Sequence, residues 1–184
     1  MYRQDSDQVI SESEEEFKKY IRDIPDFPKK GIIFRDITNL LKNGEVFKKA
    51  VEQIVARFSR EEIDVVCSVE ARGFILGAAI AYALGAGFVP VRKKGKLPWN
   101  THQESYDLEY GQDDLEIHTD AISAGNRVLL VDDVIATGGT AQATVDLVRK
   151  MEGKVVCTVF LIELLELNGR KKLKDVPVYS LIRY

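Results

Sequence analysis

Two adjacent acids, Asp132 and Asp133, follow an apolar run and precede a turn of small and hydroxyl-bearing residues at 136–140. Glycine in such a turn lets backbone N–H groups approach a ligand closely, and a following helix directs the positive end of its dipole at that ligand. Two threonine hydroxyls add further donors. The pattern therefore predicts a phosphate-binding site. Its residues are Ala136, Thr137, Gly138, Gly139 and Thr140, called here the glycine turn.

The two carboxylates need a different partner, because negative charges repel and neither acid can hold the phosphate itself. Carboxylates accept hydrogen bonds from hydroxyl groups, so Asp132 and Asp133 suit the adjacent hydroxyls of a sugar. Successive strand residues point to opposite faces, so we expect the two acids to make different contacts. The segment thus predicts a sugar phosphate as ligand. A Walker loop is excluded, since no Gly-Lys-Ser/Thr is present.

Strands and helices are predicted to alternate around this segment. Short apolar runs predict strands at 63–69, 87–91, 127–131 and 154–162, and helical spacing predicts helices at 45–58, 74–84 and 139–151. A first helix is expected from Ser13, which has capping-box spacing to Glu16. The alternation indicates an α/β fold, with a mainly parallel twisted sheet flanked by helices.

Composition excludes several classes of protein. The chain has 184 residues, of which 45% are hydrophobic and 30% charged, as is typical of a folded globular protein. A net charge of -3 argues against a nucleic-acid-binding surface. No apolar run reaches the ~20 residues of a membrane span, and the polar, acidic N-terminus is unlike a signal peptide. We expect a cytoplasmic protein with no nucleic-acid or membrane partner.

The apolar strand, the acid pair and the glycine turn together closely resemble the 5-phosphoribosyl-1-diphosphate signature of type I phosphoribosyltransferases. The resemblance implies the fold of that family. It also implies that Asp132 and Asp133 contact the ribose hydroxyls while the glycine turn binds the 5′-phosphate.

Four further stretches resemble adenine phosphoribosyltransferases in particular, and with the turn they span residues 24–184. They are 27–37, 71–74, 92–98 and 105–111. The resemblance implies a purine salvage enzyme that transfers the 5-phosphoribosyl group of 5-phospho-α-D-ribose 1-diphosphate to adenine. The products are AMP and diphosphate, formed through an oxocarbenium-like transition state. It further implies a homodimer, and Mg²⁺ held mainly by the substrate without a dedicated protein metal site.

By the same resemblance, a small hood at about 24–42 covers the base, which Ile33, Phe34 and Arg35 contact. Main-chain groups recognise the adenine edge, whose donor and acceptor are reversed in 6-oxopurines. A site in which the wrong base would leave buried hydrogen-bonding groups unpaired discriminates between the two kinds of base by about 10⁴-fold.

The diphosphate needs cations, and the resemblance assigns Arg72, Arg92 and Lys96 to it. Both arginines follow predicted parallel strands, and the carboxyl ends of such strands are where open α/β sheets bind ligands. The resemblance also implies a cis peptide bond between Glu70 and Ala71. The next two lysines, at 93 and 94, are expected to be solvated loop charges.

The polar stretch before Leu115 has neither helical nor strand periodicity and predicts a lid loop at about 93–113. The resemblance makes Glu109 and Tyr110 the catalytic residues of this lid. Glu109 would exchange a proton with adenine N7, and Tyr110 would seal the site or contact the diphosphate. Closure would keep water from the oxocarbenium centre. Ahead of the single domain predicted for 13–184, residues 1–12 are expected to form a flexible tail.

Two other functions remain open at this point. A phosphoribosyltransferase for hypoxanthine, guanine or xanthine would share the glycine turn. A purine-sensing regulator would bind the activated sugar without turning it over. The ~24 residues before the hood are too few for a DNA-binding helix-turn-helix, and Glu109 with Tyr110 favours catalysis.

Overall fold

The computed structural model describes residues 14–108 and 111–184. Two compact units make up the fold, and the division falls between Ile54 and Val55. The predicted flexible tail, residues 1–12, lies outside the described part. Among the residues that the structure describes, no helix has both the length and the apolar character needed to cross a membrane.

The first unit contains short elements around a small antiparallel sheet. Its elements are helix α1 (14–18), strands β1 (Arg22–Pro25) and β2 (Ile33–Asp36), helix α2 (Thr38–Lys42) and the first part of helix α3 (Gly44–Phe58). Strands β1 and β2 pair with each other, and Ile24 lies opposite Phe34. Helix α3 matches the predicted helix at 45–58, whereas the two strands were not predicted.

The second unit is built on a seven-stranded sheet. Its elements are β3 (Val65–Val69), α4 (Arg72–Leu84), β4 (Gly87–Lys93), β5 (Thr101–Leu108), β6 (Gly111–His118), β7 (Arg127–Ile135), α5 (Gly139–Lys150), β8 (Lys154–Glu163) and β9 (Val178–Arg183). The strand order is β5-β6-β4-β3-β7-β8-β9. Five neighbouring strands are mutually parallel: β4, β3, β7, β8 and β9. Strand β6 is antiparallel to both of its neighbours, β4 and β5. The predicted α/β fold with a mainly parallel sheet is confirmed.

Strand β7 is longer than predicted. The sequence indicated an end at Val131, but the extended backbone continues to Ile135. The acids 132 and 133 therefore lie within the strand, where their neighbours fix them, and not in a loop beyond it. Val128 and Leu129 are fully buried, which anchors the strand in the core.

Helix α4 approaches the sheet closely because two glycines face Ser68 of β3. A Cβ at Gly77 would lie 2.6 Å from Ser68 Oγ, and a Cβ at Gly73 would lie 3.0 Å from the same atom. Ser68 in turn donates a hydrogen bond to the carbonyl of Val131 on β7 (2.6 Å). This packing sets the first turn of α4 beside the acid pair of β7.

The stretch predicted as a loop at 93–113 is instead largely a β-hairpin, formed by β5 and β6. The loop prediction was wrong because cross-strand polar pairs, not apolar alternation, mark these strands. Ser105 Oγ donates to Asp114 Oδ1 (2.6 Å), and Gln103 Nε2 donates to Glu116 Oε1 (3.0 Å). The apolar alternation that the hairpin does have, buried Leu115 and Ile117, lies on β6 beyond the end of the predicted loop.

The two cysteines, Cys67 and Cys157, are free and buried. Burial raises the pKa of the Cys67 thiol to about 12 and that of Cys157 to about 11. Thiols held protonated in this way are poor nucleophiles. Neither residue takes part in the chemistry considered below.

Candidate active site

The glycine turn connects β7 to the N-terminus of helix α5 and lines a cavity of about 90 Å³. Gly138 has φ +80, a left-handed conformation that side chains rarely adopt. All five residues assigned to phosphate binding line this turn cavity, together with Asp132 and Phe160. Backbone N–H groups at a helix N-terminus and threonine hydroxyls form an environment suited to an anion.

The two acids make different contacts, as the alternation of strand side chains predicted. Asp133 forms an ion pair with Arg72, whose Nε lies 2.6 Å from Asp133 Oδ2. The backbone N–H of Asp133 donates to Asp132 Oδ1 (2.8 Å). Asp132 lines the turn cavity and also a second cavity, whereas Asp133 lines only the second. Asp132 therefore lies between the two cavities.

Burial determines the protonation behaviour of this pair. It raises the pKa of Asp132 well above the ordinary value, and the negative charge of Asp133 raises it further. Burial also raises the pKa of Asp133, although the Arg72 guanidinium acts in the opposite direction. Two adjacent, poorly solvated carboxylates are stabilised by hydroxyl donors or a cation. A ligand that supplies these groups would bind favourably at this point.

Gly73 makes room for the Asp132 carboxylate. A Cβ at this position would lie 2.7 Å from Asp132 Oδ1, closer than real Cβ atoms come to any neighbour. The resemblance to the family covered this residue as part of a motif, but the reason for glycine is a contact with a strand far away in sequence.

The second cavity, called here the arginine cavity, has a volume of about 330 Å³. Its lining residues are Val69, Glu70, Ala71, Arg72, Lys93, Tyr106, Leu115, Asp132, Asp133 and Thr140. The cis peptide bond implied between Glu70 and Ala71 is confirmed. Because Asp132 and Thr140 line both cavities, a phosphate in the turn cavity and a second group beside Arg72 can belong to one ligand.

Of the three residues assigned to the diphosphate, only Arg72 lines the arginine cavity. Arg92 instead donates to Glu70 Oε2 through Nη2 (2.9 Å) and to the carbonyl of Lys96 through Nη1 (3.1 Å). Burial raises the pKa of Glu70, but hydrogen bonds from the Lys93 N–H and from Arg92 lower it overall. Glu70 thus holds the Arg92 guanidinium at the edge of the cavity.

Sequence reasoning missed two residues of the arginine cavity. Lys93, expected to be a solvated loop charge, ends strand β4 and places Nζ 2.7 Å from Asp113 Oδ2. Tyr106 lies on β5, and its hydroxyl is 3.4 Å from the same carboxylate atom. Tyr106 lies in the stretch 105–111 that resembles the family, but that resemblance assigned roles only to Glu109 and Tyr110. Both lysine side chains are exposed as expected, 59% for Lys93 and 60% for Lys94, which pairs with Asp114 at 3.1 Å, but Lys93 also lines the arginine cavity.

The hood residues belong to the first unit. Ile33 is half exposed, and Phe34 packs edge to face against Phe27 with ring centroids 5.2 Å apart. Arg35 forms an ion pair with Asp23 through Nη1. The exposed side chains of Phe27 and Ile33 give this unit an apolar surface of the kind that binds a planar ring. The two catalytic residues, Glu109 and Tyr110, lie outside the described residues, between the paired Leu108 and Gly111.

The chain matches the phosphoribosyl transferase domain family over residues 36–182. The adenine phosphoribosyltransferase of Brachyspira hyodysenteriae is 57% identical over 169 residues, which cover 92% of this chain and 99% of the relative. The crystal structure of adenine phosphoribosyltransferase from Thermoanaerobacter pseudethanolicus has a TM-score of 0.90 and 51% identity, and the match covers 92% of this chain and 99% of that one.

A further solved structure contains ligands. It is adenine phosphoribosyltransferase from Saccharomyces cerevisiae, complexed with D-2,5-dideoxy-2,5-imino-altritol 1,6-bisphosphate and adenine. Its TM-score is 0.88 at 40% identity, and the match covers 93% of this chain and 99% of that one. These matches extend over nearly the whole chain, and the family match at residues 36–182 includes the acid pair, the glycine turn and residues of all seven strands of the large sheet. The chain therefore belongs to the phosphoribosyl transferase family and, within it, to the adenine phosphoribosyltransferases.

Proposed function

We propose that this protein transfers the 5-phosphoribosyl group of 5-phospho-α-D-ribose 1-diphosphate to adenine, giving AMP and diphosphate. The observation that carries the proposal is that Asp132 lies between the turn cavity and the arginine cavity. A ribose bound there would have its 5′-phosphate on one side and its diphosphate on the other. The yeast relative, with adenine and a bisphosphate bound together, supports the same pairing of ligands.

In this reaction adenine N9 forms a bond to ribose C1′ while the bond from C1′ to the diphosphate oxygen breaks. The diphosphate leaves with the bonding electrons, and adenine gives up one proton. Asp132 and Asp133 hold the ribose hydroxyls, and the glycine turn, residues 136–140, holds the 5′-phosphate. Arg72 supplies positive charge to the leaving diphosphate, with Arg92 and Lys96 as further cations. Glu109 exchanges the proton with adenine N7, and Tyr110 seals the site.

Mg²⁺ is the proposed cofactor, carried mainly by the substrate. Among residues 14–108 and 111–184, no three His, Cys, Asp or Glu side chains form a metal cluster. The carboxylates of Asp132 and Asp133, both lining the arginine cavity, are the oxygen donors that suit this ion, directly or through water. When bound, the ion would neutralise charge on the leaving diphosphate.

Adenine would bind to the hood, about 24–42, through Ile33, Phe34 and Arg35. The ion pair between Arg35 and Asp23 fixes the side chain at one of these positions. The segment at about 93–113, which includes β5 and the start of β6, would act as the lid over the reacting centre. We further propose that residues 13–184 form a single functional domain, and that the enzyme works in the cytoplasm, because its phosphorylated substrates do not cross membranes.

A panel of purine bases tests the proposal. With Mg²⁺ and the activated sugar, diphosphate release should be fastest with adenine, by up to about 10⁴-fold over hypoxanthine, guanine and xanthine, since a 6-oxopurine presents the reversed donor and acceptor. Release with guanine but not with adenine would contradict the assignment of the base. Binding of the activated sugar without release for any base would favour the purine-sensing regulator instead.

A homodimer is the proposed assembly, supported by exposed apolar side chains on α4 and β4. Tyr82 is 90% exposed, Ile75 lies two helical turns earlier on α4, and Phe88 is also exposed. Ile75 and Tyr82 lie on the same face of α4 by their spacing, and exposed apolar residues that share a face commonly mark protein interfaces. We expect a variant with Ile75→Glu and Tyr82→Glu to elute as a monomer in light-scattering chromatography. Leu165→Glu, at an exposed leucine outside α4 and β4, should leave the dimer intact. A native chain that elutes as a monomer would contradict the assembly.

A further inference from the structure

Gly169 is in direct main-chain contact with the glycine turn. A Cβ added to Gly169 would lie 2.3 Å from the Ala136 carbonyl oxygen and 2.9 Å from the Gly138 nitrogen. A Cβ added to Gly138 would lie 2.4 Å from the Gly169 carbonyl oxygen. Each glycine thus leaves no room for a side chain on the other. The main chain of the turn rests on the main chain around Gly169.

The residue after Gly169 is held by a buried acid. Arg170 donates to both oxygens of Glu163, from Nε (2.9 Å) and from Nη2 (2.6 Å), and its Nη1 donates to the Val178 carbonyl (2.9 Å). Ser180 Oγ also donates to Glu163 Oε2 (2.7 Å). Glu163 is only 4% exposed. A two-point guanidinium–carboxylate contact fixes direction as well as distance.

A second attachment lies at the other side of this segment. The backbone N–H of Leu164 donates to the carbonyl of Ile135, the last residue of β7 before the turn (3.0 Å). The segment 164–170 is therefore tied to β7 through Leu164, and back to the end of β8 through the pair of Arg170 and Glu163. Between these attachments Gly169 is pressed against the turn.

We propose that Gly169, held by the Glu163–Arg170 ion pair, is a positioning residue that fixes the main chain of the glycine turn for binding of the 5′-phosphate. The inference rests on the proposed function of the turn. A turn made of Ala, Thr and Gly has little side-chain packing of its own, so its N–H groups need an external support to converge on an anion. Displacement of about 1 Å at such a site can reduce kcat/KM by up to about 10²-fold, and at a site that binds the substrate phosphate the loss is expected in KM.

Gly169→Ala tests the proposal. We expect the KM for the activated sugar and the Kd for ribose 5-phosphate to rise about tenfold or more, because the added methyl displaces the Ala136 carbonyl. Binding of inorganic diphosphate and of adenine should stay within about twofold of the wild-type value, and kcat within about threefold. Gly44→Ala is the matched control, since a Cβ there meets no atom within 4 Å.

The ion pair is tested by two substitutions of different severity. Arg170→Lys keeps a charge for Glu163 but loses the second contact, and it should weaken ribose 5-phosphate binding less than Arg170→Met does. The double variant with Arg170→Met and Gly169→Ala should lose less binding free energy for ribose 5-phosphate than the sum of the losses in the two single variants, because both substitutions act on the same support. Should Gly169→Ala fail to fold by circular dichroism, the comparison of Lys with Met at 170 decides the question.

Failure of the inference is distinguishable from failure of the proposed function. Thr137→Val and Thr140→Val remove hydroxyls of the turn itself. Should neither weaken ribose 5-phosphate binding, the turn is not the phosphate site and both proposals fall. Should they weaken it while Gly169→Ala and Arg170→Met bind ribose 5-phosphate like wild type, the turn binds phosphate without this support, and only the positioning role is overturned.

Discussion

Asp132→Asn should lower turnover of adenine and the activated sugar by about 10²-fold or more, yet raise the melting temperature of the ligand-free protein at neutral pH. Asp132 lines both cavities, so its carboxylate is the group most central to a ribose bound across them. Asparagine keeps an oxygen to accept the Asp133 N–H but cannot offer charge to the sugar hydroxyls. Binding of the sugar in the transition state is therefore weakened.

The gain in stability follows from the raised pKa of Asp132, which burial and the neighbouring Asp133 cause. A carboxyl whose pKa is higher in the folded protein than in the unfolded chain binds its proton more tightly when folded. Its contribution to stability is fully present below the unfolded pKa of about 3.9 and is lost as pH rises through the folded pKa. Above the unfolded pKa, burial of this carboxyl therefore costs the folded protein stability, and the neutral amide removes that cost.

Calorimetry across pH and steady-state kinetics measure the two effects. The melting temperatures of variant and wild type should converge at acid pH, below the unfolded pKa, and separate as pH rises. Asp146→Asn is the control, since that carboxylate lies on α5 and accepts a hydrogen bond from Gln142 (2.9 Å) outside both cavities. Wild-type turnover in the Asp132 variant, or a lower melting temperature at neutral pH, would show that the carboxylate has another role.

Asp133 should behave differently from Asp132, because it already has a cation at 2.6 Å. Removal of its charge leaves Arg72 without this partner in a cavity wall, so no gain in stability is expected. The two acids are equivalent in sequence but not in structure. Both acids are proposed to contact the ribose, and Asp133 has the additional role of holding Arg72.

The sequence predicted the segment from β7 to α5 well because its signals are local. An apolar run buried on both faces, a glycine turn and an amphipathic helix each depend on residues close together in the chain. The end of β7 was placed too early, at Val131, since two adjacent acids resemble the polar end of a strand. They remain within the strand because Arg72 and the cavities accommodate them.

Features that depend on distant parts of the chain were not predictable in the same way. The β5–β6 hairpin is marked by cross-strand polar pairs, which appear only once the register is known. Lys93 is solvated as expected, with its side chain 59% exposed, but its partner Asp113 lies on β6, the strand that pairs with β4. Gly169 shows no local sign of its contact with Gly138, since the contact joins two backbones.

Glu109→Gln should reduce kcat by about 10² to 10⁴-fold, the usual contribution of a positioned general acid or base. Glutamine has nearly the same shape and can still form hydrogen bonds, but it cannot take up or return the proton that adenine exchanges as the bond from N9 to C1′ forms. The KM for the activated sugar should change by less than about threefold, because the sugar is held by the glycine turn and the acid pair.

Single-turnover kinetics with adenine and the activated sugar isolate this step from product release. Glu104→Gln is the matched control, since Glu104 is an acid on β5 of the same hairpin and pairs with Lys150 at 3.1 Å, away from both cavities. That variant should retain nearly full activity. A Glu109→Gln rate within about tenfold of wild type would be too fast for loss of a proton-transfer group, and another residue would then have to supply the proton.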